Sequence, residues 1–116
     1  MIAAVAATLL VLWSCSGDKP PKEILPVSKM QLVVWDMLQA DQLAVQNQLA
    51  DSSINLTAES FRLYDQIFAV HKITRAQFYN SYRYYQQYPD KFEQLMNRVK
   101  RTGEKAKRAL DTMRAQ

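Results

Sequence analysis

Residues that build most catalytic and cofactor sites are scarce here: two glycines, one cysteine and one histidine in 116 residues. Gly17 and Gly103 stand far apart, so no glycine-rich loop can cradle a phosphate. Zinc takes three or four Cys, His or carboxylate ligands, and Cys15 and His71 are the only soft donors; no metal or cofactor is expected. One cysteine also excludes an intrachain disulfide. Charge is absent from the run Ile2 to Trp13. That run falls short of the roughly 20 residues a bilayer span needs, and it has the form of a secretory signal core.

The residues after it sharpen the expectation. Leu12-Trp13-Ser14-Cys15 resembles a bacterial lipobox, which implies cleavage before Cys15 and acylation of that residue. Residues 1–14 are then a signal peptide and Cys15 an anchor rather than a nucleophile. Trp13 is bulky for its place in such a motif, and no Lys or Arg precedes the apolar run, which points to a start codon upstream of Met1. Multiple acyl chains hold a protein on a membrane stably, at about 0.8 kcal/mol per buried methylene. Residues 15–27, with Pro20, Pro21 and Pro26 among polar side chains, read as a short semi-rigid tether.

What is present beyond the tether is helical periodicity. Ser28 with Gln31 and Thr74 with Gln77 have the spacing of capping boxes. The first predicted helix runs from Ser28 to about Ala50, with Met30, Val33, Val34, Met37, Leu38, Ala40, Ala44 and Val45 on one face. Thr57 is the predicted cap of a second helix carrying Phe61, Tyr64, Ile67 and Phe68 and ending near His71 and Lys72. A third, after Thr74, turns Phe78, Ser81, Tyr82 and Tyr85 inward and stops at Pro89. Pro89 and Asp90 open a fourth, with Phe92, Leu95, Met96, Val99, Ala106, Leu110 and Met113 as its apolar stripe. No segment alternates as a strand does. The expected fold of residues 28–116 is all-α, a small bundle-like array of about four helices.

Several phrases in this order, Leu25-Pro26, Met30, Asp36, Ala40-Asp41, Ile73-Thr74, Phe78, Ser81, Tyr84-Tyr85 and Pro89, resemble domain-of-unknown-function family 4296, small Bacteroidota lipoproteins. The resemblance covers about Lys22 to Val99. It departs from the family pattern in Asp41, where Glu is usual, and in the long basic tail after Val99. It implies a helical domain of the cell envelope and no established activity.

Asp41 falls within the apolar face of the first helix, so its carboxylate needs a partner: a tyrosine hydroxyl, an arginine of another helix, or a bound ligand. Asp36 lies about 140° of helix arc from it, too far to cooperate as a carboxylate pair. His71 is expected at a helix C-terminus and only remotely as a metal ligand. Tyr79 and Tyr84 fall on the flanks of the third helix, where an apolar ring with a wet tip suits an interface and equally a core edge. From Arg98 to Gln116, seven basic residues face only Glu104 and Asp111, a net +5, whereas the rest of the chain nets −1. Arg101, Lys105 and Arg108 are the candidate partner-binding cations of this tail, and a solvated face or proximity to anionic headgroups are the alternatives. Nucleic acid is not an expected partner in an exported compartment. The expectation is a non-enzymatic module that is lipid-anchored at the outer membrane, faces the periplasm and binds an envelope protein. The alternative is a binder of a small glycan or lipid between helices.

Overall fold

The computed structural model describes residues 20–116; the signal-like run, Cys15 and the start of the tether lie outside the described residues. Four helices follow in order, α1 (Val27–Ala50), α2 (Leu56–Val70), α3 (Arg75–Gln87) and α4 (Pro89–Arg114). No strand occurs among the described residues. The chain is a small all-α bundle, as the periodicity predicts.

Two helix starts differ from the predicted ones. Pro26 caps α1 with extended backbone (φ −64°, ψ 155°) and no side-chain bond, and its carbonyl accepts from the N–H groups of Lys29 and Met30, both at 3.0 Å. Ser28 is already inside the helix, and the Met30 N–H nearby is taken. The capping box predicted there does not form, because the helix starts one residue before Ser28 and the box needs its hydroxyl residue at the cap position. At α2 the cap is Asn55, whose Oδ1 accepts from Ala58 N at 3.0 Å; Asn outranks Thr at this position, and Thr57 becomes an ordinary first-turn residue. The Thr74 box at α3 is formed in both directions, at 3.0 Å each. Pro89 opens α4 at its first position, with Tyr88 as the one-residue joint after α3.

The α2–α3 connection is a Schellman motif. His71 is the C-cap, Ile73 N bonds back to Phe68 O at 3.0 Å and Lys72 N to Ala69 O at 3.1 Å. Lys72 takes a φ of 56°, a conformation that favours glycine.

Topology follows from the cross-helix contacts. α2 runs antiparallel to α1, since Asp36 meets His71 and Asn47 meets Glu59. α4 returns parallel to α1, with Gln31 bonded to Thr102 and Gly103 lying under Trp35. A side-chain carbon on Gly103 would sit 2.7 Å from Trp35 Cζ3, so this glycine is what lets the indole lie on α4.

The main core gathers Met30, Val33 and Val34 of α1, Phe68 of α2, Phe78 and Tyr85 of α3, and Leu95 and Val99 of α4. An aromatic ladder ties three helices: Phe68 on Phe78 (5.3 Å between centroids), Phe78 on Tyr82 (5.9 Å) and Tyr82 edge-on to Phe92 (5.9 Å). Ile24, Leu25 and Val27 pack on this core, so part of the stretch read as tether joins the folded unit. Ser81, fully buried, holds it there. Its Oγ accepts from Leu25 N at 2.9 Å and donates to Gln77 O at 2.6 Å, while Tyr85 OH donates to Leu25 O at 2.7 Å. A second, smaller core of Ala40, Ala44 and Leu63 joins α1 to α2 further along.

The predicted apolar faces are only partly interior. Leu38, Val45 and Phe61 are exposed, as are Leu110 (51%) and Met113 (67%) at the end of α4. Leu38 borders the hollow that α3 walls and Phe61 lies under the Arg75 guanidinium, but none of these side chains is covered by another helix of the described residues.

Candidate functional site

Among the described residues, hollows open along several helix seams. Along the α1–α2 seam, Asp36, Gln39, Leu43, Leu63, Ile67 and Val70 line a groove of about 490 Å³. Along the α1–α4 seam, Trp35, Gln39, Leu43, Gly103, Ala106 and Leu110 line another of about 370 Å³. The two share Gln39 and Leu43, so they form one trough floored by α1 and walled by α2 and α4. Its apolar groups stand in water: Leu43 (45%), Val70 (76%) and Leu110 are all exposed. Patches of exposed apolar side chains in continuous array mark binding faces more often than isolated ones do.

The third hollow, about 240 Å³, lies on the other side of α1 and is lined by Val34, Met37, Leu38, Asp41, Tyr64, Phe78, Tyr79 and Tyr82. Here Asp41 finds its partner, for Tyr64 OH donates to Asp41 Oδ1. Burial, then the bond to this carboxylate, push the Tyr64 hydroxyl well above its ordinary value. Asp41 is half-buried, with one edge on its tyrosine and the other on the hollow. Both a satisfied contact and an adjoining cavity are therefore present.

Asp36 and Asp41 serve separate neighbours, as their spacing requires. The imidazole N–H of His71 donates to Asp36 Oδ2 at 2.7 Å, with the His71 side chain largely covered. Nothing local in the sequence marks this pair, which is 35 positions apart; only the antiparallel α1–α2 packing creates it. No group of three Cys, His, Asp or Glu side chains among the described residues is placed to hold a metal ion.

The candidate tyrosines do not form one surface. Tyr79 packs edge-on against Phe68 and Phe78, at 6.4 and 5.2 Å. Tyr84 lies further along α3 against Tyr85 and Tyr88, and its hydroxyl accepts from Lys91 Nζ at 2.8 Å, an ammonium that also lies 5.1 Å from the Tyr84 and Tyr88 ring centroids. Tyr79 belongs to the Asp41 hollow and Tyr84 to the α3–α4 joint. Tyr85 is buried, and burial raises its hydroxyl pKa.

Arg101, Lys105 and Arg108 are exposed on α4. Arg101 and Lys105 border a polar cleft of about 230 Å³ together with Arg98, Thr102 and, from α1, Gln31. Gln31 was not among the sequence candidates, because its meeting with α4 is a tertiary event. Among the described residues no carboxylate pairs with Arg98, Arg101, Lys105 or Arg108.

These features define a small all-α domain with open seams and one basic flank. Comparison places it further: the family described as domain of unknown function DUF4296 matches residues 21–109, and the chain belongs to that family. The matched span runs past Val99 to residue 109, so the first part of the basic helix is family domain rather than an added tail. No curated protein and no solved structure matches the chain.

Proposed function

We propose that this protein is a non-enzymatic binding module of the cell envelope, anchored by lipid on Cys15 at the outer membrane and facing the periplasm, that docks or scaffolds another envelope protein. The observation that carries the reading is the continuous trough of Leu43, Val70 and Leu110, apolar surface that a free-standing domain would ordinarily cover. No helix among the described residues is long and apolar enough to cross a membrane, so attachment would fall to the lipobox-like Leu12–Cys15 segment.

Two experiments test it. Metabolic labelling with an alkyne palmitate should mark the wild type and not Cys15→Ser; an unlabelled wild type removes the anchor from the proposal. A photo-crosslinking residue placed at Leu43 or Leu110 in living cells should trap one discrete protein, whereas the same probe at exposed Lys100 should not. Equal diffuse labelling from all three positions rules out a docking face.

The hollow beside Asp41 supports a second reading, a small glycan or lipid held between α1, α2 and α3. Native mass spectrometry of protein extracted from membranes would then show a small-molecule adduct that Asp41→Asn weakens.

A further inference from the structure

The basic flank of α4 concentrates its charge in one place. At 100° per residue, Arg98, Arg101, Lys105 and Arg108 fall within roughly 80° of arc, on the flank of the helix beside the buried Leu95 and Val99. The cleft that three of them border is built from two helices. Gln31 of α1 donates through Nε2 to Thr102 Oγ1 at 3.4 Å and accepts from Arg98 Nη1 at 3.3 Å, while Thr102 Oγ1 donates to Arg98 O at 3.0 Å. The amide thus turns one guanidinium along the seam, beside Arg101 and Lys105. All five lining residues are cationic or neutral. Asp90 and Glu93 border the adjoining hollow nearer the start of α4, which shares Arg98 and Arg101, but they do not line this cleft. Glu104 and Asp111 lie on the arc between this stripe and the second one formed by Lys100, Lys107 and Arg114.

We propose that the cleft between Gln31 and α4 binds a phosphate-type oxyanion. Two guanidinium forks and an ammonium around one small space exceed what a single carboxylate can satisfy. They match a group with three acceptor oxygens and a charge near −2, as a phosphomonoester has; a phosphodiester headgroup at a membrane surface offers the same chemistry with less charge. Arg101 and Lys105 supply the main contacts, and Gln31 is a positioning residue for Arg98. The site is on the flank of α4 opposite the trough, so it stands whether or not that trough docks a protein.

The test uses the full chain in mild detergent and three probes, the third being poly-glutamate as a carboxylate control. Inorganic phosphate is titrated by phosphorus NMR, and vesicles of phosphatidylcholine with and without phosphatidylglycerol are compared by sedimentation, the difference between the vesicle types being the readout. Arg101→Gln and Lys105→Gln should each weaken binding roughly tenfold, the loss of one charge-assisted contact. Lys107→Gln and Arg114→Gln remove the same charge from the other stripe and should change it by less than about twofold. Circular dichroism confirms that all four exposed variants stay folded. Binding of phosphate alone assigns the site to soluble phosphate esters; a gain confined to phosphatidylglycerol vesicles assigns it to lipid headgroups; both uphold the proposal. Equal losses in all four variants would reduce it to diffuse surface charge and overturn it. So would binding of poly-glutamate with neither phosphate probe bound, or no binding to any of the three.

Discussion

The two ends of α1 make a useful contrast. Its first half sits under three other helices and presents Met30, Val33 and Val34 to them, all buried. Its second half presents Ala40 and Ala44 to α2 alone and leaves Leu43, Val45 and Leu49 in water. The small alanines let α2 approach closely, while α3 and the start of α4 are confined to the other end. Beside this second half, α4 continues for several turns with its apolar stripe uncovered. Stability is thus concentrated at one end of the bundle and open surface at the other, which suits a domain that holds its shape at its core and binds along its seams.

Substitutions at the two ends should separate cleanly. Leu95→Ala, in the fully buried centre, should cost about 2–5 kcal/mol of unfolding free energy in urea titration; a loss below about 1 kcal/mol would show that the core is not where the structure puts it. Ser81→Ala strands the Leu25 N–H and should cost about 1–3 kcal/mol, with earlier hydrogen exchange at Leu25 as the local readout.

The Tyr64–Asp41 bond gives a pH signature. The folded state holds the Tyr64 proton more tightly than the unfolded chain, through burial first and the carboxylate second. Its contribution is complete below the ordinary tyrosine value of 10.0 and is lost as pH rises above it. Tyr64→Phe should therefore flatten the alkaline fall of Tm, and an unchanged slope would exclude this bond as its cause. Tyr85, raised by burial and then by neighbouring Tyr84, contributes a remaining slope of the same sign.

Smaller effects complete the contrast. Lys72→Gly relieves a left-handed lysine (φ 56°) and should stabilise by about 1 kcal/mol. Leu110→Ser at the open end should shift stability by less than about 0.5 kcal/mol yet abolish the crosslink that the docking proposal expects.

Much of this fold was legible because helices announce themselves locally. The Thr74–Gln77 box, Pro89 at the start of α4 and the inward Phe78, Ser81, Tyr85, Leu95 and Val99 all follow from spacing. Less legible were the ends whose outcome depends on competition between neighbours, as when Asn55 displaced Thr57 and Pro26 displaced Ser28. Lys72 carried no glycine or asparagine signal for its turn. Of the candidate site, the basic stripe and the need of Asp41 for a partner could be read directly. The identity of that partner, the His71–Asp36 pair and the closing of the α4 cleft by Gln31 could not, since each joins residues brought together only by packing.

The order of apolar and polar residues was enough to determine the class of fold, the helix count and the sign of the charge on α4, because these depend on contacts within a turn or two. Which apolar residues are covered was decided by the assembled bundle. A periodic stripe specifies the direction in which a side chain points, whereas burial requires a second helix long enough to reach it, and at the far end of α1 and α4 the described residues supply none.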